Sequence, residues 1–103
     1  MPFAVTSTID GMSATVTVSG ELDVYTAPEL RAGLHDLLSE GVTRVTLDLT
    51  DLSFIDSTGL GVVVGMLKRL RENDGDLVVR SPSRATRKVL DITGLSQIIR
   101  CVD

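Results

Sequence analysis

Asp56-Ser57-Thr58-Gly59 is the segment best equipped for chemistry. A carboxylate is followed by two adjacent hydroxyls and a glycine. Before it, Leu52, Phe54 and Ile55 lead from a strand-like run into the core. After it, Leu60, Val63, Val64, Leu67 and Leu70 recur at helical spacing. The segment therefore opens a helix. Asp56 is placed to cap that helix, and the amides of its first turn lack intrahelical partners. Such an end accommodates an anion. Ser57 and Thr58 project beside it, partly exposed.

Sharper chemistries do not fit. Gly59-Leu60-Gly61-Val62-Val63-Val64 has valine where a dinucleotide fingerprint needs its third glycine. No Gly-Lys-Ser/Thr stands in the chain, so there is no phosphate-binding P-loop. Compared with the Asp-Thr/Ser-Gly of aspartic proteases, the segment has one residue too many, and a helix-periodic run follows it. A Ser57 nucleophile needs a base, and His35 is the single imidazole, with nothing to aim it there. His35 flanks an apolar helical stripe and reads as a surface or boundary side chain. With one His and one Cys, a Cys/His metal site is not expected. Cys101 reads as a packed small hydrophobe. No enzyme activity, cofactor or metal is expected.

The elements that must position this segment follow from periodicity. Phe3, Val5 and Ile9 alternate with polar residues, as do Ala14, Val16 and Val18, with Asp10-Gly11 between them. This predicts an antiparallel hairpin. Thr26-Ala27-Pro28-Glu29 has a capping-box pattern, and Leu30, Leu34, Leu37 and Leu38 then share a helical face up to a stop at Gly41. Val45, Leu47 and Leu49 form a third strand. The helix from Ser57 ends at Asn73-Asp74-Gly75-Asp76, with Lys68, Arg69 and Arg71 in its last turns, where cations suit the dipole. Leu77 to Val79 make a strand parallel to the third. Ser83 caps another helix that stops near Gly94, and Ile98 to Val102 add a strand or a helical turn. The order is ββαβαβα(β/α): an α/β fold with a mixed sheet of four to five strands and three to four helices. Gly59, Gly61 and Gly65 keep one side of their helix small, at about 1 kcal/mol each relative to alanine. Close packing against the sheet is the expected reason, with approach of a partner the alternative.

Composition narrows the function further. At 103 residues, one domain over 1–103 is expected, with about 65% of its unfolded surface buried. A hydrophobic share of 43% with 23% charged residues makes the chain globular rather than disordered. The net charge of −4 and 3% aromatics argue against a nucleic-acid surface. The first 56 residues hold nine acids and two bases, and the remainder five acids and eight bases, so the halves carry −7 and +3. Such a dipole can orient a charged protein partner. The N-terminus lacks the pattern of a signal peptide, and no apolar run reaches the roughly 20 residues of a spanning helix. A cytoplasmic protein without membrane contact is expected, a monomer or weak dimer.

One resemblance covers essentially the whole chain. Gly20-Glu21-Leu22-Asp23, Thr26-Ala27-Pro28, Leu47-Asp48-Leu49-Thr50, Phe54-Ile55-Asp56-Ser57-Thr58-Gly59-Leu60 and Leu90-Asp91-Ile92-Thr93-Gly94-Leu95 stand in the order and spacing of the STAS family. The sequence is most similar to its free-standing bacterial anti-sigma-factor antagonists.

The resemblance implies a domain that binds an anti-sigma factor with serine-kinase activity and so releases a sigma factor. It implies phosphorylation at Ser57, which blocks binding, and a serine phosphatase that reverses it. Thr58 stands where many members have serine and is the second candidate acceptor. Asp23, Asp56, Ser57, Thr58, Gly59 and Gly61 are the implied partner-binding residues. STAS-like chains also serve as subunits of transport systems or stress-signalling assemblies. The hydroxyl pair leans toward the antagonist.

Overall fold

Ala14, Val16 and Val18 are buried while Thr15, Thr17 and Ser19 are only partly so. That alternation is the period-two signature of a strand with one face on a core. A computed structural model of the chain describes residues 2–103 and pairs this strand, β2 (Ser13–Leu22), with three others. β1 (Ala4–Asp10) pairs antiparallel with it from Asp10↔Ser13 to Ala4↔Ser19, so the predicted hairpin forms. Ile9 is 46% exposed, because β1 lies at the sheet edge.

β3 (Arg44–Asp48) runs parallel to the first half of β2. β5 (Asp76–Arg80) and β6 (Arg100–Val102) extend the sheet in parallel, giving the order β1-β2-β3-β5-β6. The second half of β2 takes a different partner, β4 (Leu52–Ile55), from Gly20↔Leu52 to Leu22↔Ile55. The register shifts between Gly20 and Glu21. Gly20 has φ +89°, and a Cβ there would lie 2.9 Å from Phe3 Cα, so glycine is required where β2 changes partner.

The mixed sheet thus has six strands among the described residues, against an expectation of four to five. The added strand is β4, whose apolar run lacks clean alternation. Its burial pattern leaves Phe54 47% exposed instead of in the core. Only Leu52 and Ile55 face inward. The C-terminal ambiguity resolves into both alternatives: a 3-10 turn (Leu95–Gln97) and then β6.

Three helices cover the sheet's apolar side and its β4 end: α1 (Ala27–Ser39), α2 (Ser57–Glu72) and α3 (Arg84–Ile92). α1 packs on β1 and α2, α2 on β4 and β5, and α3 on β4. Leu30, Leu34 and Leu37 of α1 are buried as the stripe requires. In α2 the buried set is Leu60, Val62, Val63, Met66, Leu67 and Leu70, and Val64 is only partly covered. The helix contacts α1 as well as the sheet, so its apolar arc is wider and turned relative to the expected stripe. Ser83 caps α3: its Oγ accepts from the Thr86 amide at 3.2 Å and donates to the Leu52 carbonyl at 2.8 Å. No described helix is long and apolar enough to cross a membrane.

Candidate functional site

The junction between β4 and α2 carries the hydroxyl pair. Ile55 pairs with Leu22, and the Asp56 amide donates to the Leu22 carbonyl at 3.1 Å. This bond ties the start of α2 to the end of β2. Asp56 is extended at φ −108°, ψ −175°, and its Oδ1 accepts from the Gly59 amide at 3.0 Å. Its carbonyl takes the Leu60 amide at 2.9 Å. The capping geometry is therefore as predicted, with Ser57 the first helical residue. Ser57 and Thr58 are both exposed. Gly59 is buried, and a Cβ on it would stand 2.7 Å from Leu22 Cγ and 3.1 Å from Ile55 Cγ1. This glycine lets the first turn of α2 close onto β2.

Asp23 follows Leu22 directly and so lies beside the same junction. Its Oδ1 accepts from the amides of Tyr25 at 2.9 Å and Thr26 at 3.1 Å, and its carbonyl takes the Ala27 amide at 2.8 Å. The expected capping box at Thr26 does not form. Thr26 has near-helical dihedrals, and its Oγ1 turns back, donating to the Glu21 carbonyl at 2.8 Å and accepting from the Asp23 amide at 2.9 Å. The Asp23 carboxylate takes the Thr26 amide, and the Glu29 amide, which a capping box would give to the Thr26 side chain, bonds to the Thr26 carbonyl at 3.0 Å. The result is a tight polar turn that pushes its middle residues outward: Val24 is 54% and Tyr25 88% exposed.

Asp23, Asp56, Ser57, Thr58 and Gly59 are thus gathered at one junction. Gly61 lies one turn further along the same exposed stripe of α2 as Ser57. The three glycines separate by role. Gly59 packs on the sheet as expected, whereas a Cβ on Gly61 or Gly65 would meet nothing within 4 Å. The sheet-packing expectation fails for those two because they face the space beside α1.

Val24, Tyr25 and Phe54 are the surface residues that sequence reasoning missed. Phe54 pairs with Glu21, at the rim of the Asp23 turn. The chain has one tyrosine and two phenylalanines, and two of these three aromatics are exposed next to the junction. In a chain so poor in rings, a tyrosine in a turn was the available signal.

His35 is exposed, with Nε2 2.7 Å from Arg69 Nη1 and nowhere near Ser57 in the bonding pattern. Cys101 packs against the core, and burial pushes its thiol above the ordinary range, with Arg87 opposing weakly. Among the described residues no cluster of three or more His, Cys, Asp or Glu could hold a metal ion.

Away from the junction, Asp48 anchors the loop after β3. The Thr50 hydroxyl donates to Asp48 Oδ1 at 2.7 Å and Arg80 Nη2 to Oδ2 at 2.9 Å. The Thr50 hydroxyl bond, then Arg80, holds the carboxyl below its ordinary value against an opposing desolvation effect. A depressed folded value means stability that is present above the unfolded value of 3.8 and lost as pH falls through the folded one. Urea midpoints should therefore decline below about pH 4 in the wild type. In Asp48→Asn that decline should be shallower, starting from a lower plateau at neutral pH. Parallel pH profiles for the two proteins would contradict the assignment.

Comparison with known proteins agrees with this architecture. The STAS domain family model matches residues 4–103. An anti-sigma-B factor antagonist of Staphylococcus epidermidis is 45% identical over 84 residues, covering 82% of this chain and 78% of that protein. The anti-sigma factor antagonist SpoIIAA in its unphosphorylated form superposes with a TM-score of 0.83 at 26% identity, covering 99% of this chain and 89% of its own. The Bacillus cell fate determinant SpoIIAA in its phosphorylated form gives 0.76 at 26% identity, covering 99% and 92%.

Proposed function

The chain belongs to the STAS domain family, and on that footing we propose that it is an anti-sigma-factor antagonist switched by phosphorylation of Ser57. In this reading the unmodified protein binds an anti-sigma factor that is also a serine kinase, and a serine phosphatase returns the phosphorylated form to the unmodified one. The carrying observation is the exposed Ser57 hydroxyl at the first residue of α2, behind a cap that uses Asp56 Oδ1. A phosphate there meets the free amides of a helix start and needs no rearrangement of the fold.

The surroundings support a docking role. Val24, Tyr25 and Phe54 supply apolar contact beside Asp23 and Asp56. Aromatic anchors ringed by polar groups are the usual make-up of a protein interface. Gly61 leaves room one turn below Ser57 for a partner to approach α2. The relatives that carry the antagonist name, and a related structure that exists in a phosphorylated form, support the same reading. Catalysis by the chain itself is not part of it: the single imidazole, His35, bonds to Arg69 and not to the junction hydroxyls.

The test is phosphate transfer. The protein is incubated with anti-sigma-factor kinases and ATP, and the modified residue is mapped by mass spectrometry. Phosphate on Ser57, abolished in Ser57→Ala and retained in Thr58→Ala, is the expected result. Transfer to Thr58 alone, or none with any such kinase, would overturn the assignment.

A further inference from the structure

α1 and α2 do not close against each other along their whole length. Between them lies a cavity of about 180 Å³. Its floor is formed by the buried side chains of Leu34, Val62 and Met66, and its mouth by the exposed Arg31, His35 and Arg69. The walls stay low because Gly61 and Gly65 line it with open space where a Cβ would be.

The mouth is cationic without being neutralised. Among the described residues neither Arg31 nor Arg69 is in an ion pair, although the first 56 residues hold nine acids and two bases. Arg69 instead meets His35, Nη1 to Nε2, at 2.7 Å. A guanidinium carries donors only, so it is the donor in this contact. That bond orients Arg69 over the cavity and leaves its charge uncompensated. A carboxylate, like a phosphate, matches a guanidinium fork. The floor offers only hydrocarbon. An apolar cavity of roughly 150 Å³ takes a benzene-sized molecule, so this volume suits a short tail or one ring.

We propose that this cavity binds a small monocarboxylate with a short apolar tail. Its head is held by Arg31 and Arg69, and its tail rests on Leu34, Val62 and Met66. The site uses neither Ser57 nor the carboxylates of the junction, so it stands or falls separately from the phosphorylation reading.

The ¹⁵N-labelled protein is titrated with acetate, hexanoate, benzoate and the uncharged hexanamide, following amide shifts. Hexanoate or benzoate should give saturable shifts centred on Leu34, Gly61 and Gly65. Acetate, lacking the tail, and hexanamide, lacking the charge, should each bind at least about tenfold more weakly. Gly65→Leu, which fills the cavity, and Arg69→Gln, an exposed change that leaves the core intact, should each lose about tenfold with the amide spectrum otherwise preserved. No saturation with hexanoate and benzoate, equal binding of hexanamide, or full affinity in Arg69→Gln would overturn the proposal.

Discussion

Ser57→Asp is expected to weaken binding to the anti-sigma partner by about two to three orders of magnitude while leaving the fold intact. The two halves of that expectation come from the same position seen from two sides. From within the molecule, a negative charge at the first residue of α2 faces unpaired amides and the positive end of a helix dipole, a gain of about 0.3–1 kcal/mol. From the partner's side, the charge lies in a surface that already holds Asp23 and Asp56, in a half of the chain with nine acids and two bases. Burying it there without a counter-charge costs about 3–5 kcal/mol. Phosphate adds about −1.5 to −2 and should act at least as strongly. Affinity by calorimetry and melting temperature by circular dichroism separate the two sides. A variant that unfolds, or one that binds as tightly as wild type, would sink the switch as described.

Gly75→Ala should be the most damaging single methyl in the chain. A Cβ at Gly75 would sit on the Thr43 carbonyl, with Thr43 C at 2.8 Å and Leu70 O at 3.1 Å also in the way. These are backbone atoms and cannot swing aside. They belong to the connection where α2 turns into β5: the Gly75 amide donates to Leu70 O at 2.8 Å and the Asp76 amide to Thr43 O at 3.1 Å. Relieving the overlap means moving the start of β3 or of β5. Overpacking of side chains alone costs about 1–3 kcal/mol, so a loss at or above the top of that range is expected. For a domain of this size that corresponds to a fall in melting temperature on the order of 10 °C or more. Gly61→Ala is the control. It adds the same methyl where no atom lies within 4 Å, and should raise stability by up to about 1 kcal/mol through helix propensity. If both variants melt alike, the contacts at Gly75 do not constrain the turn.

Much of this was legible in the residues. The hairpin, the stripe of α1 and the cap at Asp56 all rest on local patterns, and local patterns survive into the fold. What failed did so for non-local reasons. Phe54 looked like core because it is aromatic and flanked by buried neighbours, yet β4 pairs with only part of β2 and leaves that position facing out. Thr26 matched a capping box, but its hydroxyl is taken up by Glu21 and Asp23 of the preceding turn, and the Glu29 amide bonds to the Thr26 carbonyl instead. Val62 and Met66 entered the core because α2 has two neighbours, a fact of assembly that one helix's periodicity does not carry. The hydroxyl pair was found by residue type and spacing. The exposure of Val24, Tyr25 and Phe54 near this junction became visible only in the structure, where β2 and β4 lie side by side.

The divided pairing of β2 also bears on when the molecule becomes recognisable. β2 is bonded to β1, β3 and β4, and the shift at Gly20 hands its last residues to β4, the strand that ends at Ile55, two residues before Ser57. The Ser57 hydroxyl is therefore held by contacts about 30 residues apart in the chain, Leu22 with Ile55 and Asp56. No fragment containing Ser57 alone reproduces that geometry. A nascent chain still on the ribosome, or one opened by heat, offers a serine but not this junction. In the proposed switch, recognition at this junction doubles as an inspection of folding: only chains in which β2 has paired with β4 would take part in the signal.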